Sequence, residues 1–350
     1  MTGGIASRRR RAFLRLALAA LFCGLGISPV CVADEDVSYR RPVRVVADGR
    51  IEVQNGELPL FVSGDWSAPL PGVRRAVVVL HGRLRNADAY YRSVLKAQAA
   101  AGGLGAGSLM IAPQFLAGID LSAHGLSNRT LHWSLVGWEG GEPAEGPTGA
   151  SSFDALDAIL RRLANRKLFP DLAEIVVAGH SGGGQVVQRY AVLGRGEEAA
   201  RAAGIHVRYV VANPSSYVWF GFARPDESVA RSCPGYDQWK YGMRALPPYA
   251  AGQNVEALEQ AYARRRVIYL LGTEDTDPSH PALDKSCMAE AQGPHRYARG
   301  HAYFTALQGR YGPALRQALH DVPGVGHDGD RMLTSACGLA ALFDLPGCGS

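Results

Sequence analysis

The chain has 350 residues, 47% of them hydrophobic and 20% charged, a balance that supports a sizeable buried core and excludes a disordered, collagen-like or polytopic membrane protein. The formal net charge is +5, yet Arg8, Arg9, Arg10, Arg11 and Arg15 all lie near the start. Without these five, the 32 acidic side chains face an equal number of basic ones, so residues 34–350 lack the electrostatic footprint of a nucleic-acid-binding protein.

The arginine cluster leads into an apolar stretch over residues 12–32, broken only by Arg15, and then into Ala33 before the acidic Asp34-Glu35-Asp36. A basic start, an apolar middle and a small residue at the end predict a signal peptide over residues 1–33, with the mature chain at 34–350 exported to the periplasm or secreted. Arg10-Arg11-Ala12-Phe13-Leu14 is similar to a twin-arginine export signal, with Arg9 where Ser or Thr is usual. Arg15, Gly24 and Gly26 make the stretch a poor membrane span, so no stable anchor is expected after cleavage. Cleavage removes Cys23 and Cys31 and leaves Cys233, Cys287, Cys337 and Cys348, an even set in a compartment where thiols oxidise. Of the three possible pairings, the expected one joins Cys233 to Cys287 across an insertion and Cys337 to Cys348 at the C-terminal tail.

Beyond the leader, short β-branched runs alternate with longer segments of helical period, and the runs are continuously apolar, as strands covered on both faces should be. Residues 43–60 read as an antiparallel edge. Strands are predicted at 76–80, 109–112, 175–178, 207–211, 267–271 and 318–322, and helices at 86–101, 151–165, 181–193, 281–308 with breaks, and 328–343. The pattern is that of an α/β protein with a mostly parallel central sheet and helices on both faces. No repeat or low-complexity linker divides it, so one elaborated domain is expected over 34–350. Two stretches without clear period, 114–150 and 213–252, are candidates for a cap-like insertion or a pocket wall.

One motif carries chemistry. Gly179-His180-Ser181-Gly182-Gly183 follows a predicted strand and opens a predicted helix. A nucleophile on so sharp a turn needs small residues two before and two after it, where a Cβ would strike neighbouring backbone, and Gly179 and Gly183 meet that need. Ser181 would sit at a helix N-terminus, whose free N–H groups, that of Gly182 first, can stabilise a developing oxyanion. A structural glycine turn is the competing reading. Upstream, Ala76-Val77-Val78-Val79-Leu80 ends in His81-Gly82-Arg83, a second strand closing on a glycine turn.

With these two motifs the chain resembles the α/β-hydrolase superfamily, His81-Gly82 matching its oxyanion loop and Gly179 to Gly183 its nucleophile elbow. The resemblance implies an α/β-hydrolase fold and a Ser-Asp-His triad. It assigns the second oxyanion donor to the Arg83 N–H and places the acid after a late strand, where Gly272-Thr273-Glu274-Asp275-Thr276-Asp277 offers three carboxylates. The family pattern selects Asp275, over Glu274 and Asp277. Asn213, at the other position the superfamily uses, is an amide and cannot stabilise an imidazolium as a carboxylate does. The base comes last in the family order, which selects His327 in the loop Pro323-Gly324-Val325-Gly326-His327, over His320 on the preceding strand; His81 precedes the nucleophile and reads as a loop-orienting hydrogen bonder.

Together the residues imply acyl transfer to water on a small-molecule or polymer ester, with no cofactor required and no Cys/His spacing that suggests zinc. Trp133, Trp138, Tyr217, Trp219 and Phe220 are candidates for lining an apolar acyl pocket, with Trp138, Tyr217 and Trp219 preferred; the competing reading is that they pack the insertions onto the sheet. A serine peptidase or amidase of the same fold is the alternative activity, and a non-catalytic binding protein on a hydrolase scaffold is the alternative class.

Overall fold

Eight strands hydrogen-bond into one sheet in the computed structural model, which describes Met1 and residues 38–349. In chain order they are β1 (Gly49–Val53), β2 (Gly56–Val62), β3 (Arg75–Leu80), β4 (Ser108–Pro113), β5 (Glu174–His180), β6 (His206–Ala212), β7 (Arg266–Gly272) and β8 (Gln317–Val322). Across the sheet the order is β1-β2-β4-β3-β5-β6-β7-β8; β1 and β2 are antiparallel, β2 meets β4 antiparallel, and every remaining pair is parallel. The connection leaving β3 runs to one side and that leaving β5 to the other. Such a switch point opens a crevice at the carboxyl ends of the two strands, where ligands bind in open α/β sheets.

The continuously apolar runs of β3, β4, β5 and β6 are buried on both faces, as the pattern predicted, whereas the edge strand β8 buries only Val322. Along β3, Ala76, Val78 and Leu80 enter one core while Val77 and Val79 enter the other; along β5, Ile175 and Val177 part from Val176 and Ala178 in the same way. Each of the larger of these side chains contributes about 1.5–3 kcal/mol of burial. One face is covered by α1 (Ala87–Ala100), with Val94 and Ala97 inward, and by the C-terminal helices through Met332, Leu333, Leu342 and Phe343. The other is covered by α2 (Ser152–Leu163), α3 (Gly182–Leu193), α4 (Gly196–Ala202), α5 (Val255–Arg264) and α6 (Arg296–Tyr311), through residues such as Leu156, Val187, Ala200, Tyr262 and Tyr303. The C-terminal pair is α7 (Gly329–Thr334) and α8 (Ala336–Phe343).

Several expectations are corrected. Helices α4 and α5 fall where the sequence reading placed none. Helix α5 buries only Tyr262 and Ala263, so its apolar stripe is too thin to stand out, although Asn254 caps it by accepting from the Ala257 N–H. The broken helix expected over 281–308 does break, at Gly293-Pro294, but before the break it is only a turn at Cys287–Glu290, and α6 follows. Residues 43–47 do not join the edge strands. They are tied down by side chains instead: the Val43 N–H donates to Asp120 (2.8 Å), the Ala47 N–H to Gln114 (2.9 Å), and Arg85, paired with Asp120 in full burial, donates to the carbonyls of Tyr39 and Arg41.

Both disulfides are formed, Cys233–Cys287 and Cys337–Cys348, in the expected pairing. The expected leader lies outside the described residues. Among the described residues no helix is long and apolar enough to cross a membrane.

Candidate active site

Strand β5 stops at His180 and α3 starts at Gly182, which leaves Ser181 alone on the turn with φ 59° and ψ −123°. A non-glycine residue at positive φ is strained, and such strain persists only where surrounding structure enforces it. Here the enforcement is steric. A Cβ on Gly179 would lie 2.4 Å from the Gly183 backbone, and one on Gly183 would lie 2.3 Å from the Leu80 carbonyl oxygen. The second contact also shows how closely the turn is pressed against the end of β3. A Cβ on Gly82 would approach the Ser181 Cβ at 3.8 Å, and one on Gly182 would approach the Arg83 amide nitrogen at 3.1 Å. The backbone of Gly182 and the amide of Arg83 therefore lie against each other next to Ser181, Gly182 at a helix N-terminus where N–H groups lack intrahelical partners.

The loop after β8 brings His327 over this turn. Its Nε2 is 2.9 Å from Ser181 Oγ, and its Nδ1 is 2.8 Å from Asp275 Oδ2. Asp275 lies in the loop after β7, so three strand ends that are far apart in sequence meet in one hydrogen-bonded chain. Glu274 and Asp277 stand outside it, Asp277 accepting from Ser279, and His320 stays on β8. The other oxygen of Asp275 accepts from Arg296 Nη1 at 3.2 Å; Arg296 is fully buried at the start of α6 and also donates to Ser215 Oγ (3.0 Å). Burial works against ionisation of Asp275, but the His327 hydrogen bond and the charge of Arg296 prevail and hold it below the usual carboxylate value. His327 is pushed below the ordinary imidazole value, by burial first and with Arg296 adding to the shift, while its hydrogen bond to Asp275 works in the opposite direction. A neutral imidazole facing a serine hydroxyl is the protonation state a general base requires.

Two neighbours take roles that the sequence reading did not give them. Asn213, at the end of β6 with φ 39°, accepts from the Gly272 N–H (2.9 Å) and donates to the Gly326 carbonyl (3.1 Å), fastening the end of the Asp275 strand to the residue before His327. His180, buried beneath Ser181, lies against the His327 ring at 4.6 Å between centroids and meets the Tyr90 hydroxyl at 3.2 Å. Burial, then the nearby His327 and Arg296, hold His180 well below its ordinary value. His81 occupies the orienting role expected of it. Its Nδ1 pairs with the Gly82 carbonyl (2.8 Å) and its Nε2 accepts the Phe115 N–H (2.9 Å), with burial pushing its pKa down to about 4.

A cleft of ≈ 200 Å³ opens at Ser181 and His327, lined also by Tyr39, Arg83, Leu84, Tyr90, Pro281 and Ala282. The aromatics expected there are elsewhere. Trp138 is fully buried, stacked on Phe115 at 5.5 Å and close to His81; Tyr217 stacks on Tyr303 at 4.5 Å; Trp219 meets the edge of Tyr303 and lies under Arg224. Trp133 and Phe220 likewise pack against Phe115 and Tyr262. The reason is visible in the backbone: after β6 the chain is drawn onto the α3 side of the sheet, where Gln292 and Gln188 receive the Tyr217 and Val218 N–H groups. Segments 114–150 and 213–252 instead bring charged groups together behind the cleft. Glu139, fully buried, pairs with Arg83 at 3.1 Å and with Lys240 at 3.7 Å, and Trp239 donates to the Gly140 carbonyl at 2.6 Å, so the insertions meet behind Arg83. Among the described residues no group of three or more His, Cys, Asp or Glu side chains could hold a metal ion.

No protein-family model and no curated protein sequence matches the chain. Solved structures do. The chain is similar to poly(aspartic acid) hydrolase-1 from Sphingomonas sp. KT-1 with a TM-score of 0.57 at 22% identity, over 83% of this chain and 96% of that one. It is similar to a poly(3-hydroxybutyrate) depolymerase from Bordetella parapertussis with a TM-score of 0.58 at 23% identity, over 85% and 89% of the two chains. With its mostly parallel eight-stranded sheet, the protein has the α/β-hydrolase fold.

Proposed function

We propose that this protein is an exported serine hydrolase that cleaves carboxylic esters through an acyl-enzyme on Ser181. The observation that carries the reading is the continuous hydrogen-bonded chain Ser181–His327–Asp275 set beside two backbone amides. In the proposed reaction His327 Nε2 takes the Ser181 proton as Oγ attacks the carbonyl carbon. The oxyanion that forms is received by the Gly182 and Arg83 N–H groups, an interaction that strengthens as negative charge develops. Collapse breaks the bond to the alcohol, which leaves with the proton returned by His327; water then repeats the sequence on the acyl-enzyme, releasing the acid. Asp275, kept ionised by its hydrogen bond to His327 and then by Arg296, holds the imidazole tautomer and stabilises the imidazolium.

The names of the two structural neighbours, a depolymerase and a hydrolase of polymers, accord with this class of reaction. Two disulfides accord with export to an oxidising compartment. The test is a panel of p-nitrophenyl esters and aminoacyl p-nitroanilides presented to the purified protein and to Ser181→Ala. Ester turnover that vanishes in the variant supports the reading. Turnover of anilides in preference to esters replaces it with a peptidase or amidase, and no turnover of either, with no reaction of Ser181 with a phosphonate, replaces it with a binding protein.

A further inference from the structure

Arg83 brings two different groups to the cleft. Its backbone amide lies beside Gly182, while its side chain, 28% exposed, lines the same space as Ser181. A guanidinium offers five N–H donors in a planar fork. Glu139 engages one edge of it, Nε at 3.1 Å and Nη2 at 3.3 Å, and Nη1 takes no acceptor among the described residues. The fork is thus held in place by one side and open on the other, which is the condition for recognising a ligand without an ordering cost.

The surrounding charge does not balance. Glu139 supplies one negative charge, and it is approached by Arg83, by Lys240, and by Arg189, whose Nη1 donates to the Glu139 carbonyl at 2.8 Å. The next carboxylate, Asp284, accepts from the Tyr241 hydroxyl at 2.8 Å, and its backbone carbonyl accepts from Arg299 at 2.9 Å. Arg83 and Lys240 therefore share the one carboxylate of Glu139, with the Arg189 guanidinium at its backbone carbonyl, while Arg299 stands in the field of Asp284 and Glu290. Arg189 and Arg299 are fully buried, and cations taken out of water without full compensation favour the arrival of an anion. Arg83 is the member of the group that reaches the cleft.

We propose that the Arg83 side chain binds a free carboxylate on the substrate, so that the preferred ester carries a carboxylate a few bonds from the carbonyl that Ser181 attacks. The planar fork matches a carboxylate's two oxygens, and the positive excess gives the cleft its selectivity for an anion over an isosteric neutral group. The proposal rests on the hydrolase reading for its reaction but not for its binding. The carboxylate stands on either the acyl or the alcohol portion, and the experiment separates the two.

The experiment compares kcat/KM for monoethyl adipate and ethyl adipamate, which differ on the acyl side, and for 6-acetoxyhexanoate and 6-acetoxyhexanamide, which differ on the alcohol side. In one of the two pairs the anion is expected to be favoured by about tenfold, the scale of one charge-assisted hydrogen bond. That ratio should fall to near one in Arg83→Gln, fall partly in Lys240→Met, and shrink in high salt, which screens a partly exposed charge. Calorimetric binding of the same compounds to Ser181→Ala reads the pocket without turnover, so failure of the hydrolase reading leaves this result standing. Equal handling of anion and amide by the wild-type protein in both pairs, or a preference unchanged in Arg83→Gln, overturns the proposal. Should Arg83→Gln not fold, the wild-type ratio, its salt dependence and Lys240→Met decide it.

Discussion

The two sides of the cleft are built by different means. On one side, Ser181, Asp275 and His327 stand on loops that leave the carboxyl ends of β5, β7 and β8, with only β6 between the first two, and parallel strands deliver them together. On the other, Arg83, just past the end of β3, is held from behind by Glu139, which Lys240 also approaches where segments 114–150 and 213–252 cross, with Trp239 bonded to Gly140 at the crossing. The first arrangement is dictated by sheet geometry and a few glycines. The second depends on tertiary packing between segments about a hundred residues apart. Chemistry common to a fold can be expected on the strand ends, and selectivity on the insertions.

The sharpest way to break this division is to remove the strand-end groups. Ser181→Ala and His327→Ala should each lower kcat by roughly 10⁴ to 10⁶, and the double variant should be scarcely worse because the groups act as a unit. Additive losses in steady-state kinetics would count against a shared mechanism. Asp275→Asn should cost on the order of 10⁴ by favouring the wrong imidazole tautomer, whereas Glu274→Gln, outside the hydrogen-bonded chain, should leave turnover nearly intact. A reversal of that pair would move the acid to Glu274.

A smaller effect is expected from the group behind the acid. His327 acts as a base only when neutral, and its pKa lies below the ordinary imidazole value of 6.5, so kcat/KM should rise with pH through a limb below 6.5 and be level at neutrality. Arg296 contributes to that lowering. In Arg296→Met the limb should therefore move to higher pH, with a greater loss at pH 6 than at pH 8. An unmoved limb with a uniform loss would make Arg296 a packing residue only.

The smallest catalytic effect is expected on the insertion side, at a residue the sequence reading had placed in the pocket. Trp219→Ala should leave the ratio of kcat/KM for acetyl, butyryl and octanoyl esters unchanged, while lowering stability by about 3–5 kcal/mol, the usual cost of emptying a buried aromatic site. A changed chain-length profile without a fall in melting temperature would return Trp219 to the substrate.

These outcomes follow how much of the molecule is legible in its sequence. The central parallel strands β3 to β6 are readable because burial on both faces leaves continuous apolar runs, and Gly179 and Gly183 mark the Ser181 turn because a Cβ on either would lie 2.4 or 2.3 Å from neighbouring backbone. Asp275 and His327 follow from chain order once the fold is recognised. The aromatics misled because a short distance past a strand end does not fix direction: residues 217–219 turn onto the face of the sheet rather than over its end. Glu139 and Arg296 carry no local signal. Each is an isolated charge in an unremarkable segment, and its meaning comes from a partner 56 or 21 residues away. Asn213 was read as the lack of an acid, whereas its amide is what bonds both a donor and an acceptor across two loops.

The central claim is that Ser181 is acylated during turnover. Rapid acid quench of the protein with p-nitrophenyl butyrate, followed by peptide mass analysis, tests it directly. The account predicts a butyryl adduct on the peptide containing Ser181 that disappears as substrate is exhausted and is missing in Ser181→Ala. Steady ester turnover with no adduct on that peptide, or turnover retained in Ser181→Ala, would contradict it.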